Sequence, residues 1–291
     1  MSAMTESRSK SLGFGALAVL IVVYLAVLQA GGLVLREAFG VDAKYGEFPD
    51  AESLWASIVI PVAASLALVV VVVSVLRWWP RVLHDPYPVN RWVLVVPIVL
   101  ALTAFAVMDY DNLSEIDSTL LLLGIGGSLM VGFTEELMFR GITVTTMRDA
   151  GFAETRVALW SSLIFGAVHI TNIITEGPGA FVQVAVVSVS GFFFYLTLRV
   201  TGSIIPGMLL HALWDFSLFS ASIGPDAERY PLSGLALLVN IVLAIVLLVR
   251  RHKIGVAVVP TTLTSGAPHR AEAGALGNSP GPSDAQRGEA P

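Results

Sequence analysis

The sequence predicts an all-α, polytopic transmembrane helix bundle, and three observations predict it. Of 291 residues, 55% are hydrophobic and only 13% are charged, against about 25% charged in a soluble domain. The mean hydropathy is +0.77. The apolar residues fall in runs of roughly 18–25, the length that crosses a ~30 Å hydrocarbon core at 1.5 Å per residue. Between those runs the loops alternate in charge, basic then acidic, as a membrane orientation requires.

Eight apolar segments follow one another. The first, Leu12–Leu35, comes after Arg8 and Lys10 as a signal peptide would. Its apolar stretch is too long for a cleaved leader and no small-x-small site follows, so it reads as a retained anchor. Leu54–Leu76 begins after Phe48-Pro49-Asp50, and Trp92–Met108 after His84-Asp85-Pro86. The fourth and longest, Leu120–Met147, follows the acidic stretch Asp109 to Asp117. Val157–Ile174 and Ala180–Leu198 are separated by Gly177-Pro178-Gly179; Ile204–Ser220 and Leu232–Val249 are separated by Gly224-Pro225-Asp226. Proline inside spans (Pro61, Pro97, Pro206) is tolerated because neighbouring helices re-satisfy the freed backbone groups.

With the N-terminus in the cytoplasm, the inside segments hold Arg8, Lys10, Arg77, Arg81, Arg91, Arg148, Arg156, Arg199, Arg250, Arg251 and Lys253. The outside segments hold only Arg36, Lys44 and Arg229 and are otherwise acidic. A wrong helix count would scramble this alternation, so eight spans with both termini inside is the expected topology. The organisation is then a cytoplasmic N-terminus (1–11), N-terminal transmembrane helices (12–108), a core (118–220), a last transmembrane helix (232–249) and a disordered cytoplasmic tail (259–291). The tail is rich in Ala, Gly, Pro, Ser and Thr and cannot bury enough apolar surface to fold. The expected location is a bacterial plasma membrane. A net charge of −5 without a basic, aromatic-interleaved patch argues against nucleic acid as a partner. The absence of cysteine removes disulfides, thiolate catalysis and thiolate metal ligands.

Ionisable groups inside spans cost about 2.5–3.5 kcal/mol each on insertion scales. Here they cluster: Glu135, Glu136 and Arg140 in the fourth segment, His169 in the fifth, His211 and Asp215 in the seventh. Glu136 and Arg140 are i,i+4 with the acid first, the orientation that pairs best on a helix. Glu135 lies about 100° further round and has no counter-charge within its own helix, which leaves it available as a general base or acid. Phe165 shares a face with His169, and His211 with Asp215. One Glu and two His from three helices can therefore converge on a single water. Asn172, three residues after His169, lies on nearly the same face and is a candidate for the cavity wall. Three separate insertion penalties ask for a common cause, although each residue alone would pass as a polar contact within the bundle.

Glu135-Glu136-x-x-x-Arg140, Phe165-x-x-x-His169 and His211-x-x-x-Asp215 resemble, in order, the three motifs of the CPBP intramembrane proteases. That group contains the eukaryotic CAAX prenyl endopeptidases and the bacterial lysostaphin-resistance and bacteriocin-processing (Abi) proteins. The resemblance covers roughly Leu120–Ser220. It implies that Glu135 activates water together with His169, and that His211 and Asp215 hold the developing oxyanion. Glu136 and Arg140 would support them. The eukaryotic enzymes usually carry Asn where this chain has Asp215; an ionised Asp cannot donate to an oxyanion, so it is either protonated or orients His211.

The resemblance also implies a hydrophobic or lipidated peptide or protein as substrate and the bilayer as medium. No cofactor is favoured, since HExxH is absent, but Glu135, His169 and His211 would be a legitimate zinc set. The competing functional readings are a proton- or cation-coupled transporter, for which the paired halves with broken helices are missing, and a non-catalytic scaffold. Among the remaining residues, Gln183 and Asn240 read as interhelical hydrogen-bonding groups and Gly126, Gly127 and Gly132 as close-packing positions. Phe192-Phe193-Phe194-Tyr195 reads as an interface belt. Glu135 sits toward the inner side of its span and His169 toward the outer side of its own, so a tilt or kink has to bring them level.

Overall fold

Helices stand at each of the apolar segments in the computed structural model of the chain, which describes residues 11–44, 46–225 and 232–255. They are α1 (Phe14–Phe39), α2 (Ala51–Leu76), α3 (Arg91–Val107), α4 (Ser118–Asp149), α5 (Glu154–Val168), α6 (Gly179–Thr201), α7 (Ile204–Ser222) and α8 (Gly234–Val249). Among the described residues five of these, α1, α2, α4, α6 and α7, are long and apolar enough to cross a membrane by length and composition, and α3 and α8 are shorter apolar helices. No strand occurs among the described residues; isolated bridges such as Phe48 with Ile223 tie loops to helix ends. The expected tail, and the charged residues Asp226, Glu228 and Arg229, lie outside the described residues.

The starts and stops follow from local chemistry. Asp50 accepts from Ser53 N at 2.8 Å at the head of α2, and Asp117 accepts from Thr119 N at 2.7 Å at the head of α4, each satisfying a backbone donor that a helix start leaves orphaned. Gly40 (φ 68°) and Gly202 (φ 71°) stop α1 and α6 in the left-handed conformation that glycine adopts without steric cost.

The outside of the bundle is apolar and the inside carries the polar groups, the inverse of a soluble protein. Val22 in α1 and Ile245 and Leu248 in α8 are more than half exposed, whereas Glu136, Arg140, His211, Ser190 and Asn240 are buried. A bilayer supplies the missing apolar cover. The centre is built on α7 against α4 and on α5 against α6. Gly132 permits the first contact: a Cβ there would stand 2.5 Å from the Met208 carbonyl oxygen and 2.7 Å from Ala212 N. Gly127 serves likewise against α2, where a Cβ would stand 2.9 Å from Ile58 Cγ2, but a Cβ at Gly126 would meet open space.

The aromatic run of α6 is not an interface belt. Phe193, Phe194 and Tyr195 are 0%, 2% and 2% exposed, because α6 is covered by its neighbours at this level and the rings fill the protein interior. The kink that has to bring Glu135 and His169 level has a structural counterpart. α4 widens into a π-helical stretch, Leu137–Thr143, directly after Glu136, and α5 tightens into a 3₁₀ turn at His169–Asn172. Two more π stretches, Ala26–Ala30 in α1 and Trp55–Val59 in α2, face the same region; π turns recur at functional sites because they re-aim side chains.

Candidate active site

Glu135 of α4, Phe165 of α5, His169 and Asn172 of the following 3₁₀ turn, and His211 and Asp215 of α7 line one cavity of about 520 Å³. That volume lies in the range of small-ligand sites. Most of the wall is apolar, with Leu25, Leu28, Val62, Val131 and Val187 among its members. Glu136 and Arg140 stand behind it, both buried.

His211 is the hub. Its ring stacks on Phe194 (4.5 Å between centroids, 20° between planes) and meets Phe165 edge-on at 5.8 Å. Its Nδ1 lies 3.0 Å from Glu136 Oε1. Its Nε2 lies 3.6 Å from Asp215 Oδ2 and 3.8 Å from Glu135 Oε2. A carboxylate paired with a guanidinium accepts hydrogen bonds, so His211 Nδ1–H donates to Glu136. The outward nitrogen then faces two carboxyl groups on the cavity wall.

Arg140 closes the back of the site. Its Nη1 lies 3.1 Å from Glu136 Oε1, near enough for an ion pair but not aligned as a hydrogen bond. Its Nη2 donates to the Gly191 carbonyl at 2.7 Å, and its guanidinium lies 4.1 Å from the centre of the Phe165 ring, where a cation is attracted to the ring face. Gly191 makes room: a Cβ there would be 2.9 Å from Phe165 Cδ1 and 3.2 Å from Arg140 Nη2.

His169 is set by its own helix. Its Nδ1 lies 2.8 Å from the Phe165 carbonyl oxygen. A carbonyl only accepts, so Nδ1 carries the proton and Nε2 is the basic nitrogen of the neutral ring. Phe165 thus holds both histidines, His169 through its carbonyl and at 5.3 Å between rings, His211 through its edge.

Residues 117–217 match the sequence profile of the family described as Type II CAAX prenyl endopeptidase Rce1-like. Over these residues the chain is similar to that family. The match contains all three motifs and eight of the cavity-lining positions named above, from Val131 to Asp215. The family match and the apolar helices together support an integral, multi-pass membrane protein. No curated protein and no solved structure matches it.

Two features lie beyond the motif pattern. The bond from His211 to Glu136 joins residues 75 apart in sequence, and no local spacing announces it. Tyr24 and Gln29 of α1 and Asn240 of α8 also line the cavity; the signal that could have found Gln29 is its standing as an amide within the otherwise apolar run Leu12–Leu35. Gln183 and Asn240 do bond between helices: Asn172 Nδ2 donates to Gln183 Oε1 at 2.8 Å and Ser190 Oγ to Asn240 Oδ1 at 2.9 Å. Among the described residues no three His, Asp or Glu side chains are disposed as a metal-ligand group.

Proposed function

We propose that the chain hydrolyses a peptide bond of a membrane-associated or lipidated protein through a water activated by Glu135 and His169. The observation that carries this reading is the meeting of Glu135, His169, His211 and Asp215, from three helical segments, on the wall of one largely apolar cavity. Glu135 or His169 Nε2 takes a proton from water as its oxygen attacks the scissile carbonyl. The carbonyl π pair becomes an oxyanion. His211, whose Nδ1–H is given to Glu136, donates to that oxyanion from Nε2 only when the ring carries both protons, and Asp215 adds a second donor only when protonated. Collapse breaks the C–N bond, and the proton taken from water passes to the departing amine. Glu136 and Arg140 hold His211 in its orientation and do not touch the reacting atoms.

Comparative membrane peptidomics of cells carrying the wild-type chain or Glu135→Gln tests this. The amide keeps the shape and one acceptor but cannot take a proton from water. Cleaved termini present with wild type should vanish with the variant at equal protein abundance; identical peptide patterns would remove the peptidase mechanism. On this reading purified protein also keeps its activity after chelation. Loss that is reversed specifically by zinc would replace the metal-free step with a Lewis-acid one held by Glu135, His169 and His211.

We further infer that the eight helices cross a bacterial plasma membrane with both termini inside, because the basic and acidic loops alternate through the chain. Alkaline phosphatase fused after Val259 should be inactive, and a strongly active fusion there overturns the topology.

A further inference from the structure

Inside the cavity lies a polar chain that the three motifs do not use. Gln29 of α1 donates from Nε2 to Thr171 Oγ1 at 3.1 Å and to Asn172 Oδ1 at 2.9 Å. Thr171 Oγ1 in turn donates to the Val168 carbonyl at 2.9 Å, and Asn172 Nδ2 donates to Gln183 Oε1 at 2.8 Å. These bonds fix the orientation of the Gln29 amide. The Thr171 hydroxyl proton is committed to Val168, so Thr171 offers Gln29 only lone pairs, and the face Gln29 turns to it must be the nitrogen. The Gln29 carbonyl oxygen therefore turns the other way. Among the described residues it has no hydrogen-bond partner, and it is not a sealed atom. Gln29 stands on the wall that also carries His169 and Glu135.

An acceptor so placed suits an extended peptide. A helical segment hides its carbonyls in internal hydrogen bonds, so a bond to be cut has to be presented from an extended stretch. That stretch brings backbone N–H groups into an apolar cavity, and each unpaired one there costs free energy. Two donated bonds already fix the Gln29 side chain, so little rotamer freedom remains to be lost on binding. Donating through its nitrogen also polarises its carbonyl and strengthens it as an acceptor. Gln29 lies outside the family match at 117–217, so its contribution belongs to this chain's own first helix.

We propose that Gln29 Oε1 accepts a backbone N–H of an extended substrate peptide and sets its register beside Glu135 and His169. The proposal rests on the peptidase reading and makes Gln29 a substrate-positioning residue. The test measures binding to the full chain carrying Glu135→Gln, purified in detergent. The probe is a short fluorescein-labelled Leu/Ala peptide bearing one S-farnesylcysteine, with each backbone amide in turn replaced by an ester. An ester keeps the shape and deletes one donor. One position should weaken binding about three- to tenfold, the worth of a single net hydrogen bond. Adding Gln29→Leu should weaken the all-amide peptide to the same extent and erase the ester effect at that position alone. Thr171→Val keeps the acceptor but loosens it; it should show a smaller loss with the ester effect retained, and it decides the matter if Gln29→Leu does not fold. An ester pattern unchanged by Gln29→Leu overturns the proposal, as does failure of every peptide to bind. Cleavage of the same peptide by the wild-type chain, lost with Glu135→Gln, tests the peptidase reading separately, since it does not depend on which ester matters.

Discussion

Two ion clusters in this molecule use the same residue types to different ends. At the helix ends, Arg148 binds Glu154 (2.8 Å) and Asp85 (3.3 Å), and Arg199 binds the same two acids at 2.7 Å and 3.2 Å. Tyr195 donates to Glu154 as well, and the guanidinium of Arg148 lies 4.5 Å from the centre of the Tyr87 ring. Two acids meet two arginines, and the network ties α4, α5, α6 and the loop before α3. In the bundle interior three carboxyl groups, Glu135, Glu136 and Asp215, share one arginine and His211. Arg140 is committed to Glu136, and the remaining two acids face the cavity. A balanced set of charges closes on itself and holds helices together. An acid in excess, kept in an apolar interior at a cost in stability, is the mark of chemistry.

The largest effect expected from this contrast is at Glu135. Replacing it with Gln should lower the cleavage rate at least about a hundredfold, the lower end of general acid–base contributions, while the thermal midpoint in detergent stays level or rises. Asp85→Asn, at the balanced cluster, should leave the cleavage rate near wild type. Retained activity in the first variant, or loss of activity without loss of folded protein in the second, would erase the distinction between the clusters.

Arg140 should behave in the opposite way to Glu135. Arg140→Leu leaves Glu136 buried without its cation, and breaking one partner of a buried pair costs about 3–5 kcal/mol. The variant should unfold at markedly lower temperature or fail to accumulate. Adding Glu136→Gln should recover much of that stability, because the uncompensated charge goes with it, but not the cleavage, because His211 has lost its charged anchor. A double variant as unstable as Arg140→Leu alone would mean that the Gly191 and Phe165 contacts of the guanidinium, rather than the charge pair, hold this region.

Much of this arrangement was legible in the sequence, and the exceptions have physical reasons. The apolar runs matched helices because a span has to satisfy its backbone internally. Glu135, His169, His211 and Asp215 stood out because charge is rare there. Glu136 disclosed its arginine four residues on but not its histidine, since only the i,i+4 partner is fixed by helix geometry. The run Phe192–Tyr195 misled because lipid and protein interior are equally apolar, and composition does not separate them. Gln29 stayed hidden partly because α1 carries a π stretch at Ala26–Ala30. On a regular α-helix Tyr24 and Gln29, five apart, would point about 140° from one another; the wider turn brings both onto the cavity wall.

The smallest expected effect separates the two acids of the helix-end cluster by pH. Burial pushes the Glu154 carboxyl up, but hydrogen bonds from Arg148 and Tyr195 outweigh it and hold the group below its ordinary value. The ordinary value is about 4.3, so Glu154 contributes stability that is complete above that pH and is lost as pH falls through the lower folded value. Asp85 is the reverse case: burial raises its carboxyl, and the neighbouring Arg148 and Arg199 do not fully offset it. A raised acid binds its proton more readily in the folded state, so it adds stability as pH falls toward the unfolded value and withdraws it as pH rises. The two opposed slopes occupy neighbouring windows of the wild-type curve, that of Glu154 below about pH 4.3 and that of Asp85 above about pH 3.9. Glu154→Gln should therefore make the thermal midpoint fall less steeply on acidification below about pH 4.3, and Asp85→Asn should remove the gain that acidification brings while the pH is still above about 3.9. Thermal melts of the three proteins across both windows read the difference directly. Two substitutions that tilt the curve the same way would show that the cluster titrates as one unit and that its two acids do not play separate parts.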